Sequence, residues 1–387
     1  MNGRRYDIDW LRIFATYLLF PFHVGKVFDV PPYYHIKNAT LSGGLGILTT
    51  YIHQWHMPLF FLLAGWSLHA SLTLRGPWPV LGERFKRIFI PFLFGCCTLC
   101  VGLGYVEYIL MKHVEMSFLD FIPLFFTSLF GPESARVFTW GHLWFLIYLF
   151  TFTLLYFPLF WLLARKPAGS APVTPWLLYL PIPVMMFLQM VLRVRWPGMQ
   201  NLYDDWGNFT YYSIFMWLGF LLGRGPALRQ AVSLEWKRAA VIALVSSVIF
   251  LYVCINQPQS DVARHLLYYS LGTIIGYTAI MAMLGWAYDH LRFRNRALDY
   301  LAESALPVYI LHQCGIVFPG WFIIQLDAPI IVKYPLLLVT AVTITILTYH
   351  FIVRPIYPLR FLFGMKPRKL KPAPQFIPAT SPNAQSS

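Results

Sequence analysis

The chain has 387 residues, 58% of them hydrophobic, 18% aromatic and only 12% charged, with a mean hydropathy of +0.57. Soluble domains carry about 25% charged residues, so a soluble globule is excluded and a single polytopic, all-α transmembrane bundle is expected. The net charge of +14 is spread as clusters between apolar runs, as topology signals are, which argues against a nucleic-acid partner.

The first apolar window long enough to cross hydrocarbon is Ile8–Phe28. Arg4 and Arg5 precede it and no small-residue cleavage site follows, so it reads as an uncleaved helix. It contains Arg12 and His23, eleven residues apart; at about 100° per residue they share one helix face, about 16 Å apart along the axis. A polar group in hydrocarbon is costly, about 2.5 to 3.5 kcal/mol for a central charge, which makes both residues functional candidates. Pro21 removes a backbone donor and frees the Tyr17 carbonyl beside the imidazole.

The second window, Leu48–Leu72, opens with His53 and His56. The third, Ile88–Leu110, follows Arg84, Lys86 and Arg87 and contains Cys96, Cys97, Cys100 and Glu107. Cys97 and Cys100 have no second metal pair, so free thiols and no metal site are expected. Met116–Phe130 is aromatic but short and stops at Gly131-Pro132, which suits an interfacial or re-entrant helix. The fourth window, Leu143–Leu163, starts at His142-Leu143-Trp144. Six more follow at Trp176–Leu192, Trp206–Leu222, Ala239–Ile255, Leu266–Ala287, Leu301–Ile324 and Ile330–Val353. Asp204 and Asp205, beside Trp206, read as a solvated turn. Residues 1–365 thus form one transmembrane domain of about ten spans. Residues 366–387, basic and then rich in Pro and Ser, suit a disordered tail touching anionic lipid.

Ten spans put both termini on one side, and the positive-inside rule makes that side cytoplasmic. Two layers follow. His23, His53, His56 and His142 gather toward the outer surface, where imidazoles titrate near neutrality. Arg12, Arg84, Lys86 and Arg87 gather at the inner one, where guanidinium forks suit phosphate. Each has a bland reading: Arg12 as a snorkelling marker, Arg84 and Arg87 as topology signals, His53 and His56 among headgroups. His23, mid-helix and beside a proline, has the weakest bland reading. A transporter would also bury such residues, but no inverted halves with matching broken helices are present.

Five blocks in order resemble the acyltransferase-3 family of integral membrane acyltransferases. They are Asp9-Trp10-Leu11-Arg12 with His23; the stretch from His56 through Met57-Pro58 to Gly65-Trp66, with Ala64 where a serine is common; Arg84-Phe85-Lys86-Arg87 up to Pro91; Gly141 to Leu146; and Ala302 to Gln313. The stretch from His53 to Trp66, His142-Leu143-Trp144 and the ending Arg360 to Gly364 are most similar to members associated with succinylating periplasmic glucans. The resemblance implies an O-acyltransferase in a bacterial inner membrane, moving an acetyl or succinyl group from cytoplasmic acyl-CoA, a co-substrate and not a resident cofactor, to a hydroxyl of an extracytoplasmic glycan. Arg12, Arg84 and Arg87 would grip the donor's phosphates. His23, with Arg12, would be catalytic, as general base or transient acyl carrier. His56, His142, Trp144 and His312 would orient the acceptor or the base. A carbohydrate or lipid-linked-sugar transporter is the alternative.

Overall fold

The computed structural model describes residues 4–31, 34–112, 114–130, 137–167, 169 and 172–367. Of the tail expected to be disordered, residues 368–387 lie outside them, as does the Gly131-Pro132 stop. The described residues form twelve helices in chain order: α1 Tyr6–Phe28, α2 Gly43–Arg75, α3 Pro77–Leu110, α4 Phe118–Phe130, α5 Gly141–Arg165, α6 Pro175–Arg195, α7 Trp206–Arg224, α8 Pro226–Asn256, α9 Asp261–His290, α10 Arg296–Ile323, α11 Ile330–Val353 and α12 Tyr357–Leu362. Among the described residues there is no sheet, only an isolated bridge between Asp29 and Ser42. The starts are capped where the sequence supplies an oxygen: Ser42, Ser260 and Asn295 accept from the amides of Leu45, Ala263 and Leu298, each satisfying a donor the helix leaves unpaired.

Nine of these helices are long and apolar enough to cross a membrane. The expected sixth span, α7, is the exception, because Asn208, Thr210, Tyr211, Tyr212 and Ser213 dilute its apolar character. It nevertheless traverses the bundle beside α2. Side-chain-free faces meet there: a Cβ on Gly65 would strike the Met216 carbonyl and one on Gly219 the Leu62 carbonyl, the close backbone approach that small residues permit in membranes. At 19 residues α7 is about 28 Å long, close to the hydrocarbon thickness of about 30 Å.

The polar ends of the bundle sort themselves. Arg5 lies over the rings of Trp66 and Tyr288, Arg12 reaches Ser67, and Arg87 donates to the Gly364 carbonyl. The start of α1 and the segment after α12 therefore meet at one end, the parity expected of ten crossing helices. The short α4 packs its Phe121 and Phe125 against Tyr105 and Gly104 of α3. All five cysteines are free thiols.

One expectation is corrected. Asp204 is exposed, but Asp205 is 1% exposed and not a solvated turn. Its carboxylate accepts from the Tyr148 hydroxyl at 2.5 Å, the Gln200 amide at 2.9 Å and Asn208 Nδ2 at 3.0 Å. Those donors repay the cost of burying it.

Candidate active site

A cavity of about 520 Å³ opens at the end of the bundle opposite the chain's described ends. α1 contributes Leu19, Phe22, His23 and Lys26; α2 contributes Thr49, Thr50, His53, His56 and Met57; Gly141, His142 and Trp144 come from α5, and Gln313 from α10. The helical period of α1 and α2 and their packing thus bring His23, His53, His56, His142 and Trp144 into one wall. His312 stands just behind, its ring 5.1 Å from that of His23 and 4.9 Å from that of His142.

Three of these imidazoles are locked in one tautomer. A carbonyl only accepts, so the nitrogen facing it must carry the proton. His56 Nε2 donates to Ala15 at 2.7 Å, His142 Nε2 to Ile310 at 3.0 Å and His312 Nδ1 to Tyr309 at 2.6 Å. Each neutral ring keeps one bare lone pair. Those on His142 Nδ1 and His312 Nε2 are buried with no partner among the described residues.

His23 is held differently. The Tyr34 hydroxyl donates to Gln313 Oε1 at 2.6 Å, and Gln313 Nε2 faces His23 Nδ1 at 3.1 Å. Burial holds the Tyr34 hydroxyl well above the ordinary tyrosine range, so it stays protonated at neutral pH. This chain runs in either direction, because a hydroxyl both donates and accepts, an amide has both ends and an imidazole has two tautomers. As placed, His23 Nδ1 accepts and Nε2 carries the proton. Reversed, Nδ1 donates to Gln313 and Nε2 becomes a free base.

The loop between α1 and α2 roofs the cavity. Its hub is Asp29, fully buried, which pairs with Lys26 at 2.7 Å and Lys37 at 2.5 Å and accepts from Thr49 at 2.9 Å. The same loop carries Tyr34 and His35, and His35 Nδ1 lies 2.6 Å from Glu107 of α3 on the cavity wall. Tyr34, His35 and Gln313 were not expected as site residues: loop residues carry no periodicity, and a neutral amide beside His312 gives no charge signal.

At the other end, Arg12 pairs with Asp9 at 2.8 Å and donates to Ser67 at 2.7 Å. Arg84 lies within electrostatic reach of Glu83 and of Arg87, Arg12 and Arg75 and, among the described residues, makes no hydrogen bond or ion pair. A π-helical turn, Phe85–Phe89, follows it; such turns alter side-chain phase and recur at functional sites. Arg87 is spent on Glu83 at 3.0 Å and Gly364 at 2.8 Å. A cavity of about 750 Å³ beside it is lined by Arg75, Lys86, Arg87, Arg360 and Lys366, with Glu83 the one acidic residue of its wall. Arg12 and Arg84 do not line this cavity, and the two cavities share no wall. On α1 the outer one stops at Leu19, seven residues or about 10 Å above Arg12. Among the described residues no group of three or more His, Cys, Asp or Glu side chains is arranged to hold a metal ion.

Comparison with known proteins adds an independent line. The family described as "Acyltransferase domain" matches residues 5–350. The glucans biosynthesis protein C of Salmonella paratyphi B is 23% identical over 386 residues, covering 94% of this chain and 95% of that protein. Those of Salmonella enteritidis and Salmonella gallinarum match to the same extent. No solved structure matches.

Proposed function

We take as premise that the chain belongs to the acyltransferase-3 family, and is an integral multi-pass membrane acyltransferase, and we propose that it moves an acyl group from acyl-CoA on the cytoplasmic side to a hydroxyl of an extracytoplasmic glycan. The likeness to glucans biosynthesis protein C favours a glucan as acceptor; the proposal further takes that glucan to be periplasmic, the cargo to be an acetyl or succinyl group and the setting to be a bacterial inner membrane. Membership in an acyltransferase family speaks for this reading over carbohydrate transport without chemistry.

The observation that carries the proposal is the position of His23: on the wall of the outer cavity, its Nδ1 held by a reversible hydrogen-bond chain, on the same helix as Arg12, which stands at the opposite end. In the reactive polarity Gln313 accepts from His23 Nδ1. His23 Nε2 then takes the proton of the acceptor hydroxyl as its oxygen attacks the thioester carbonyl carbon. The carbon–sulfur bond breaks and the leaving thiolate takes that proton from Nε2, giving an ester and free CoA. General-base assistance is worth about 10² to 10⁴ in rate. Arg12 and Arg84, with Arg75, Lys86 and Arg87 around the basic cavity, suit the donor's phosphates. The pantetheine arm spans the interval between them and His23, which requires the packed stretch from Arg12 to Leu19 to part when donor binds.

The test is mass spectrometry of envelope glycans from a deletion strain, a complemented strain and a strain carrying His23→Ala. A mass increment present only in the complemented strain supports the reading and names the acyl group and acceptor. Normal glycan acylation by an inserted His23→Ala protein overturns the role of His23.

A further inference from the structure

A second, smaller cavity of about 120 Å³ opens beside the outer one, and His53, Gln200 and Tyr268 belong to the walls of both. Its charged member is Arg193, from the last turn of α6. Arg193 Nε donates to Gln189 Oε1 at 2.7 Å, Nη1 to the Pro197 carbonyl at 2.8 Å and Nη2 to Asn208 Oδ1 at 2.6 Å, with the guanidinium 5.6 Å over the Tyr269 ring. All three acceptors are neutral, and among the described residues no carboxylate lies within ion-pair distance. Asp205 is one residue further on, bonded to Asn208 and spent on the donors already named. A guanidinium has five N–H groups, so two remain, on a cation that nothing neutralises directly.

The surroundings hold this arrangement against backbone strain. The loop from α6 to α7 takes positive φ at Gly198 (122°), Gln200 (56°) and Leu202 (65°). A Cβ on Gly198 would lie 2.7 Å from Arg193 Nη1 and 3.0 Å from Asn208 Nδ2, so a side chain there would push the guanidinium out of place. Gln200 is pinned by Asp205 at 2.9 Å and Leu202 by the Tyr148 hydroxyl at 3.2 Å. Conformations costing about 1 to 3 kcal/mol each persist only where the surroundings over-determine them. Here they wrap one cation and set it into a pocket whose other polar walls are amides, phenols, a threonine hydroxyl and the His53 imidazole.

We infer that this side pocket is an anion subsite, receiving a carboxylate or phosphate group borne by a substrate whose reacting end lies in the adjoining cavity. The planar guanidinium fork matches such groups bidentately. The subsite stands on its own geometry; only the identification of its ligand as part of an acyl donor or acceptor rests on the proposed function.

The test uses the full chain in nanodiscs, with sodium succinate and inorganic phosphate as anionic probes and succinamide as the neutral isostere. The basic cavity at the opposite end takes the same anions, so hydrogen exchange locates the effect. Succinate or phosphate, and not succinamide, is expected to slow amide exchange in residues 196–208 of the wild type by at least threefold, and Arg193→Gln to abolish that protection while Arg193→Lys retains part of it. Equal response to succinate and succinamide, or protection that survives Arg193→Gln, overturns the subsite. Should Arg193→Gln fail to fold, the charge selectivity of the wild type in that segment decides alone. Turnover then assigns the source. Arg193→Gln should lower the charged-over-neutral ratio of kcat/KM about tenfold for succinyl-CoA against acetyl-CoA if the anion rides on the donor, or for a phosphorylated against a neutral glucan if it rides on the acceptor. A working enzyme with both ratios unchanged overturns the inference. A wild type that turns over no pair refutes acyl transfer, and exchange protection alone then decides the subsite.

Discussion

Gln313 Nε2 lies 3.1 Å from His23 Nδ1, and the Tyr34 hydroxyl fixes the other end of the same amide at 2.6 Å. Two residues from distant parts of the chain thereby decide which nitrogen of one imidazole carries its proton. Gln313→Leu removes that control and is expected to lower kcat at least tenfold with little change in KM for the acyl donor. Tyr34→Phe deletes one neutral hydrogen bond, worth about 1 kcal/mol, and should cost about fivefold. Gln313→Asn, which keeps the amide on a shorter stem, should recover part of the loss. Steady-state kinetics on purified protein check all three; equal losses from all variants, with KM rising in parallel, would mark a merely structural role.

Arg84 and Arg87 separate binding from stability. Arg84 makes no hydrogen bond or ion pair among the described residues, so Arg84→Ala should weaken acyl-CoA binding by about ten- to a hundredfold, the loss of one charge-assisted hydrogen bond of about 1.5 to 3 kcal/mol, while leaving the unfolding temperature unchanged. Arg87→Ala also severs Glu83 and Gly364 and should lower both. Titration with CoA and thermal unfolding of the same samples distinguish the two.

Asp29 is fully buried between Lys26, Lys37 and Thr49. Breaking a buried ion pair by removing one partner costs about 3 to 5 kcal/mol, so Asp29→Asn should destabilise the protein by an amount of that order and unpin the loop that carries Tyr34 and His35. Faster hydrogen exchange across residues 29–42, with other helices protected as before, is the expected signature.

The α2–α7 crossing leaves no room at either glycine. Gly219→Val would drive a side chain into the Leu62 backbone. Overpacking costs about 1 to 3 kcal/mol when side chains give way, and here rigid backbone must, so the loss should be at the upper end or beyond. The folded yield in detergent should fall sharply, and further than for a valine at the open Gly82.

Most of the helices were legible because a span must be an apolar run of fixed length, and the histidine wall was legible because helical period and topology together place side chains. α7 was the instructive case: its Asn208, Tyr211 and Ser213 are buried against other helices and not against lipid, so hydropathy undervalues it. Asp205 was misread because its neighbours in sequence are polar, while the Tyr148 hydroxyl that holds it comes from 57 residues away. Tyr34, His35 and Gln313 left no trace because a loop has no period and a neutral amide no charge. Arg193 left no signal either, since nothing in one sequence says that its partners would all be uncharged.

The interval on α1 between Arg12 and Leu19 includes Ile13, Ala15 and Thr16, each 5% exposed or less. A catalyst that takes one reactant from the cell interior and another from beyond the membrane has two mouths, and a standing tunnel between them would short-circuit the proton gradient. On the proposed function, this plug would keep the idle protein insulating. Opening would then be tied to arrival of the donor, whose own arm would become the stopper, so that the chemistry would cross the bilayer and the ions would not.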